Sequence, residues 1–238
     1  RRWAKKNGRW ERLTEEYQPG EIPPIPRSAY RDYARTGSRK LGEQTIRKRR
    51  VLLHDAALAV WLNHPKADVD HLQDLLWATC EETNWVWPAH EDRKIDLGSA
   101  MLGANLAEFS YLFRDRLEEE VRHRIDREVH ARLFDPYHDP NHGLWWKTAR
   151  MNWNHVCISG FIRAALALIE DPAELATRLH PAVMYLTYGL DGFADDGGCE
   201  EGPGYWSYGF GNFVETAYAL YNRTQGRLNL MTDPKIER

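Results

Sequence analysis

The chain has 238 residues and 27.8 kDa, with 42% hydrophobic and 28% charged residues, enough for a packed core and against wholesale disorder. Its longest unbroken apolar run, Ala56 to Leu62, is far short of the roughly 20 residues a membrane helix needs, so no membrane span is expected. The net charge of −3 is unevenly distributed: residues 1–50 hold fifteen Lys/Arg against six Asp/Glu, a local +9, which leaves −12 for residues 51–238.

In chain order, residues 1–39 read as a basic, Pro-containing lead-in arm, with residues 1–27 extended around Pro19-Gly20 and Pro23-Pro24-Ile25-Pro26. Such an arm could dock an anionic polymer or a partner domain, or it could be a solvated surface. Helical periodicity dominates residues 40–238, which read as one α domain. Helices are expected at 40–63, 68–83, 96–114, 116–134, 155–170, 172–190 and 207–223. Three apolar stripes carry this reading: Leu97, Met101, Leu106, Phe109 and Phe113; Ile158, Phe161, Ile162, Ala165, Leu166 and Ile169; and Leu175, Leu179, Val183, Leu186 and Leu190. Asp171-Pro172-Ala173-Glu174 supplies an N-cap, Pro at N1 and Glu at N3. Alternating strand-like runs are nearly absent. The pattern predicts an all-α fold of consecutive αα-hairpins.

Three long connections separate these helices: Asn84–Lys94, Asp135–Asn154 and Asp191–Ser207. They are rich in Trp, His, Gly and acidic residues. Alternate loops in a ring of hairpins share a rim, so these three are expected to line one cleft. The ten Trp residues are several times the usual share, and Trp85, Trp87, Trp145, Trp146, Trp153 and Trp206 fall in or beside these loops. Large aromatic faces stack on sugars and bases, but they also fill cores.

Other chemistry is weaker. Cys80, Cys157 and Cys199 show no zinc spacing. His138 and His142 sit four apart, but Pro136 and Pro140 exclude the regular helix that would align both imidazoles, so no metal site is expected. No P-loop, GxGxxG, GxSxG or HExxH motif occurs, which removes the usual support for nucleotide, α/β-hydrolase and zincin chemistry. Neither a cofactor nor a nucleic-acid partner is called for. Asp195, Asp196, Glu200 and Glu201 would offer an acid/base pair for glycoside hydrolysis, or simply a charged, turn-rich loop.

The segments Asn152-Trp153-Asn154-His155-Val156-Cys157-Ile158-Ser159-Gly160 and Asp195-Asp196-Gly197-Gly198-Cys199-Glu200-Glu201-Gly202-Pro203-Gly204-Tyr205-Trp206-Ser207-Tyr208-Gly209 resemble heparinase II/III-like polysaccharide lyases. So does Cys80-Glu81-Glu82-Thr83-Asn84-Trp85-Val86-Trp87-Pro88-Ala89-His90. The resemblance covers roughly residues 50–225. It implies an incomplete α/α toroid at 40–238, with a β-sandwich region C-terminal to it in a longer protein. It also implies cleavage of a uronic-acid-containing polysaccharide, heparin/heparan sulfate-like or alginate-like, by β-elimination, and a periplasmic or secreted location. The family's donor Asn maps to Asn152 or Asn154, and its proton-transferring Tyr to Tyr205 or Tyr208; His155 would add a further donor. Trp85, Trp87, His90, Trp153, Glu201 and Trp206 would line the substrate cleft. The alternatives are an α/α-toroid glycoside hydrolase using the carboxylates at 195–201, and a non-catalytic saccharide-binding or scaffold domain.

Overall fold

A computed structural model describes residues 17–236, so residues 1–16 of the expected basic arm lie outside the described part. The described residues are all helical apart from turns and loops. Their only strand-like pairing is an isolated bridge between Phe193 and Cys199. They group into two compact units, residues 17–91 with 112–125, and residues 92–111 with 126–236.

In the first unit, residues 17–26 are non-helical, as the prolines predict, and lead into α1 (Arg27–Thr36). That helix was not apparent in the sequence. Its segment, RSAYRDYART, has almost no large aliphatic residues, and it buries only Ala29 and Tyr30. Two longer helices follow, α2 (Lys40–Trp61) and α3 (Val69–Cys80). The Asp68 carboxylate caps α3 by accepting from the Asp70 and His71 amides at 3.0 and 3.2 Å, satisfying donors that a helix N-terminus otherwise leaves orphaned. Leu53, Ala56, Leu72, Leu75 and Leu76 form the shared core of α2 and α3. Buried Arg49 donates to the Ala78 carbonyl (3.1 Å) and the Pro23 carbonyl and pairs with Glu82 (3.2 Å), which also holds Arg50. This network ties the Pro-rich segment to both helices.

The second unit contains α4 (Leu97–Leu112), the end of α5 (Glu119–Val129), α6 (Asp135–His138), α7 (Asn152–Leu168), α8 (Pro172–Tyr188) and α9 (Pro203–Arg223). A π-helical stretch, His130–Phe134, separates α5 from α6. α4 starts with a reciprocal cap: the Ser99 amide donates to the Asp96 carboxylate (2.8 Å), and the Asp96 amide to the Ser99 hydroxyl (2.9 Å). The anticipated Asp171 cap is present, accepting from the Glu174 amide at 2.7 Å.

α7 is the central element, packed against both α8 and α9. Of its predicted stripe, Ile158, Phe161, Ile162, Ala165 and Ile169 are buried and Leu166 is half-buried, but Val156, Cys157, Ser159 and Ala164 are buried as well. A helix buried on nearly all sides is a core helix rather than an amphipathic surface one. Arg163 on its partly solvated side meets Glu108 of α4 in a bidentate pair, both contacts at 2.7 Å.

Two helix starts differ from expectation in a way that matters for the site. α7 begins at Asn152 rather than 155, and α9 at Pro203 rather than 207. In α9, Gly202 has φ of +87°, a conformation that favours glycine, and Pro203 then occupies the first helical position with its φ preset. Asn152, Asn154 and Tyr205 therefore lie on helices, not in loops; Tyr208 lies on α9, as expected.

Candidate active site

The N-terminal turn of α7 is capped from a distance. Met151 precedes the helix and has no capping side chain. Its place is taken by Glu201, whose carboxylate accepts from the Asn152 amide at 2.7 Å and from Asn152 Nδ2 at 2.5 Å. A carboxylate at a helix N-terminus also faces the positive end of the helix dipole. The contact joins two segments nearly fifty residues apart, two of the three on which the lyase resemblance rests.

Arg150, Asn152, His155, Gly189, Phe193, Glu201, Tyr205 and Gly209 line one small cleft around this contact. Its cavity volume is about 10 Å³, the space of a single water. Tyr205 is 55% exposed at its rim, and Asn152 is 5% exposed at its base. One Nδ2 hydrogen of Asn152 goes to Glu201, and its Oδ1 is buried without a hydrogen-bond partner.

Asn154 is placed differently. It is fully buried, and its Nδ2 donates to the Lys147 carbonyl (2.8 Å) and the Tyr185 carbonyl (2.9 Å), which uses both N–H groups. Asn154 thus stitches the 145–148 turn to α8 and has no N–H left for a ligand. His155 is 1% exposed, stacked on Phe193 (ring centres 5.9 Å apart, 14° between planes) and 5.3 Å from Phe213. Burial pushes its pKa down to about 4, partly opposed by the Leu186 carbonyl, so the imidazole is neutral near pH 7. It supplies no positive charge to the site.

The first turns of α9, residues 203–208, are exposed. Trp206 is 38% and Tyr208 39% exposed, and the Trp206 indole N–H donates to the Gly197 carbonyl at 3.0 Å. Tyr208 is not among the cleft-lining residues, whereas Tyr205 is. Trp153 is partly exposed on the first turn of α7.

Three residues expected at the cleft belong to the first unit. Trp85 is a core residue there, 4% exposed, with its indole N–H donating to the Thr79 carbonyl at 3.1 Å, so it presents no face for sugar stacking. Trp87 carries the Arg47 guanidinium 5.0 Å from its ring centre, and His90 closes a short 3₁₀ turn, Pro88–His90. The first unit has a larger cavity of about 370 Å³ beside Tyr30, Arg49, Glu82 and Asn84. Most of its charged groups are paired, Arg49 with Glu82 and Arg27 with Glu91, and Glu81 accepts from the Trp77 indole N–H at 2.9 Å, which marks a structural network.

Two of the carboxylates at 195–201 have local duties. Glu201 is engaged by Asn152, and Asp196 accepts from the Gly198 amide at 2.9 Å within its own turn. Sequence reasoning missed Arg150, a cation on the cleft wall whose only signal was its place two residues before Asn152. Its closest acid is Asp191, at 3.9 Å. Gly189 was also missed: a Cβ there would stand 2.3 Å from His155 Nε2 and 2.8 Å from Asn154 Oδ1.

No known family model and no curated protein matches the chain.

Proposed function

We propose that the second unit is the catalytic part of a polysaccharide lyase that cleaves a uronic-acid polymer by β-elimination. On this reading the helical hairpins belong to an incomplete α/α toroid, to be completed by a C-terminal β-sandwich region. The observation that carries the proposal is the shared cleft: the Asn-bearing start of α7 and the Tyr-bearing start of α9 line one space with Arg150.

The chemistry needs three things. The C5 proton of a uronate is weakly acidic, and its removal places extra negative charge on the neighbouring carboxylate. Arg150 offers a cation and Asn152 its second Nδ2 hydrogen to that carboxylate, so charge is stabilised where it develops. Tyr205 offers a hydroxyl at the rim that transfers protons, as base toward C5 or as acid toward the departing glycosidic oxygen. Glu201 positions Asn152 and does not itself react. His155, neutral and clamped between rings, supports the floor of the cleft. A sugar carboxylate is larger than the cavity, so docking requires Tyr205 or the 195–201 loop to shift outward.

The test is an ultraviolet assay for the conjugated unsaturated sugar that elimination leaves, run against heparin, heparan sulfate, alginate and polygalacturonate. A rise with wild type and its loss in Tyr205→Phe supports the reading. New reducing ends without ultraviolet absorbance would mean hydrolysis and would sink it.

A further inference from the structure

The segment before α4 carries Arg93, whose guanidinium carbon stands 5.5 Å from the centre of the Trp153 ring and 5.8 Å from that of Trp145. The two indoles are themselves 5.3 Å apart with 41° between their planes. Trp145 is 43% exposed and Arg93 is exposed, in contrast to neighbouring Trp146, which is buried at 1%. Among the described residues no carboxylate or carbonyl accepts a hydrogen bond from Arg93; its contacts are the two rings.

This arrangement is unusual for a surface arginine. Exposed arginines commonly pair with a nearby acid, as Arg47 does with Glu43 and Arg27 with Glu91. Laid across two aromatic faces, the guanidinium is held in place and its N–H donors stay unspent. A planar fork of that kind matches a carboxylate or a sulfate ester in bidentate fashion. The exposed face of Trp145 offers the apolar surface on which a pyranose ring lies. Trp153 follows Asn152 directly in the chain, on the same first turn of α7 that lines the cleft.

We infer that Arg93, Trp145 and Trp153 form a saccharide subsite that reads an anionic substituent on a sugar next to the one held at Asn152. The inference rests on the uronate-polymer reading above and sharpens it: the favoured substrates carry negative groups on adjacent sugars. The group read is a carboxylate or a sulfate ester, which share this chemistry.

The test is a tryptophan-fluorescence titration of the full chain with three tetrasaccharides: a sulfated one from heparin, a carboxylate-only one from polymannuronate, and neutral cellotetraose. Arg93→Gln should weaken binding of the anionic ligands roughly 10- to 100-fold, the range for a charge-assisted hydrogen-bonded contact, and leave the neutral one unchanged. Arg93→Lys should fall between, since it keeps the charge and loses the fork. Trp145→Ala should weaken every ligand that binds. If Arg93 matters for the heparin fragment alone, sulfate is the group read; if it matters for both, carboxylate suffices. Binding within twofold of wild type for Arg93→Gln with both anionic ligands, or no binding of either by wild type, overturns the subsite. The two readings fail separately. Unsaturated product formed with unchanged kcat and KM in Arg93→Gln removes the subsite and leaves the lyase. Arg93-dependent binding with no product from any polymer removes the lyase and leaves the subsite.

Discussion

Asn152 and Asn154 are two residues apart and chemically identical, yet their amides have opposite duties. Both N–H groups of Asn154 are consumed by backbone carbonyls in a dry interior, while Asn152 sits at the base of the cleft. Asn154→Ala should therefore act on stability. Leaving the Lys147 and Tyr185 carbonyls unpaired should lower the unfolding free energy by about 2–4 kcal/mol, measured by urea denaturation. Asn152→Ala should act mainly on turnover. The tyrosines divide in the same way. Tyr205→Phe removes a hydroxyl from an exposed ring at the rim, so the fold should be unaffected while kcat falls about 10²–10⁴-fold. Tyr208→Phe should keep near-wild-type turnover, and a reversal of these two results would move the proton-transfer role to the other tyrosine.

At the scale of the element, α7 depends on groups far away in sequence. Glu201 caps its first turn in place of a local side chain, so Glu201→Ala should cost about 1–2 kcal/mol, the usual worth of a helix cap. It should also reduce turnover, because Asn152 loses its anchor; Glu201→Gln should recover part of the stability and less of the turnover. The α8 end is constrained by close approach. Gly189→Ala would drive a methyl against His155, whose ring cannot retreat because Phe193 and Phe213 flank it. Overpacking of this kind should destabilise by about 1–3 kcal/mol, visible as a lower midpoint in thermal or urea unfolding. A midpoint equal to wild type would mean that the His155 ring is free to move.

For the molecule as a whole, the sharpest expectation is acid sensitivity. His155 has a folded pKa of about 4 against 6.5 for an exposed imidazole. Between those values the unfolded chain binds a proton that the folded chain does not, so stability rises with pH through this window. The contribution is fully present above about pH 6.5 and is lost as pH falls toward 4, amounting to roughly 3 kcal/mol at most. His155→Phe should flatten that part of the stability–pH curve, and an unchanged slope would show that the imidazole is solvated in the folded state.

Much of the architecture was readable from local pattern. The helix at 172–188 follows from Asp171, Pro172 and Glu174, and the core residues of α7 follow from their spacing, because both signals lie within a few turns of one helix. The early start of α9 was hidden, since Gly202-Pro203-Gly204 reads as a turn until Pro203 is seen in the first helical position. α1 was hidden for a different reason: it is anchored by two buried side chains and by the Tyr30 hydroxyl donating to the Asn84 carbonyl at 2.7 Å, a contact fifty-four residues away.

What the amino-acid sequence determined by itself is the helical class, the Asp171 cap that starts α8, and the short set of Asn, His and Tyr residues among which a proton-transfer site is to be sought. The tertiary structure decided which members of that set share a cleft. It buried Trp85 as core, spent Asn154 on two carbonyls, and brought Glu201 to Asn152 and Arg93 to Trp145 and Trp153. The physical reason is range. Helix propensity and capping act over three or four residues, whereas a side chain's hydrogen-bond partners and exposure depend on segments that meet only after the chain has packed.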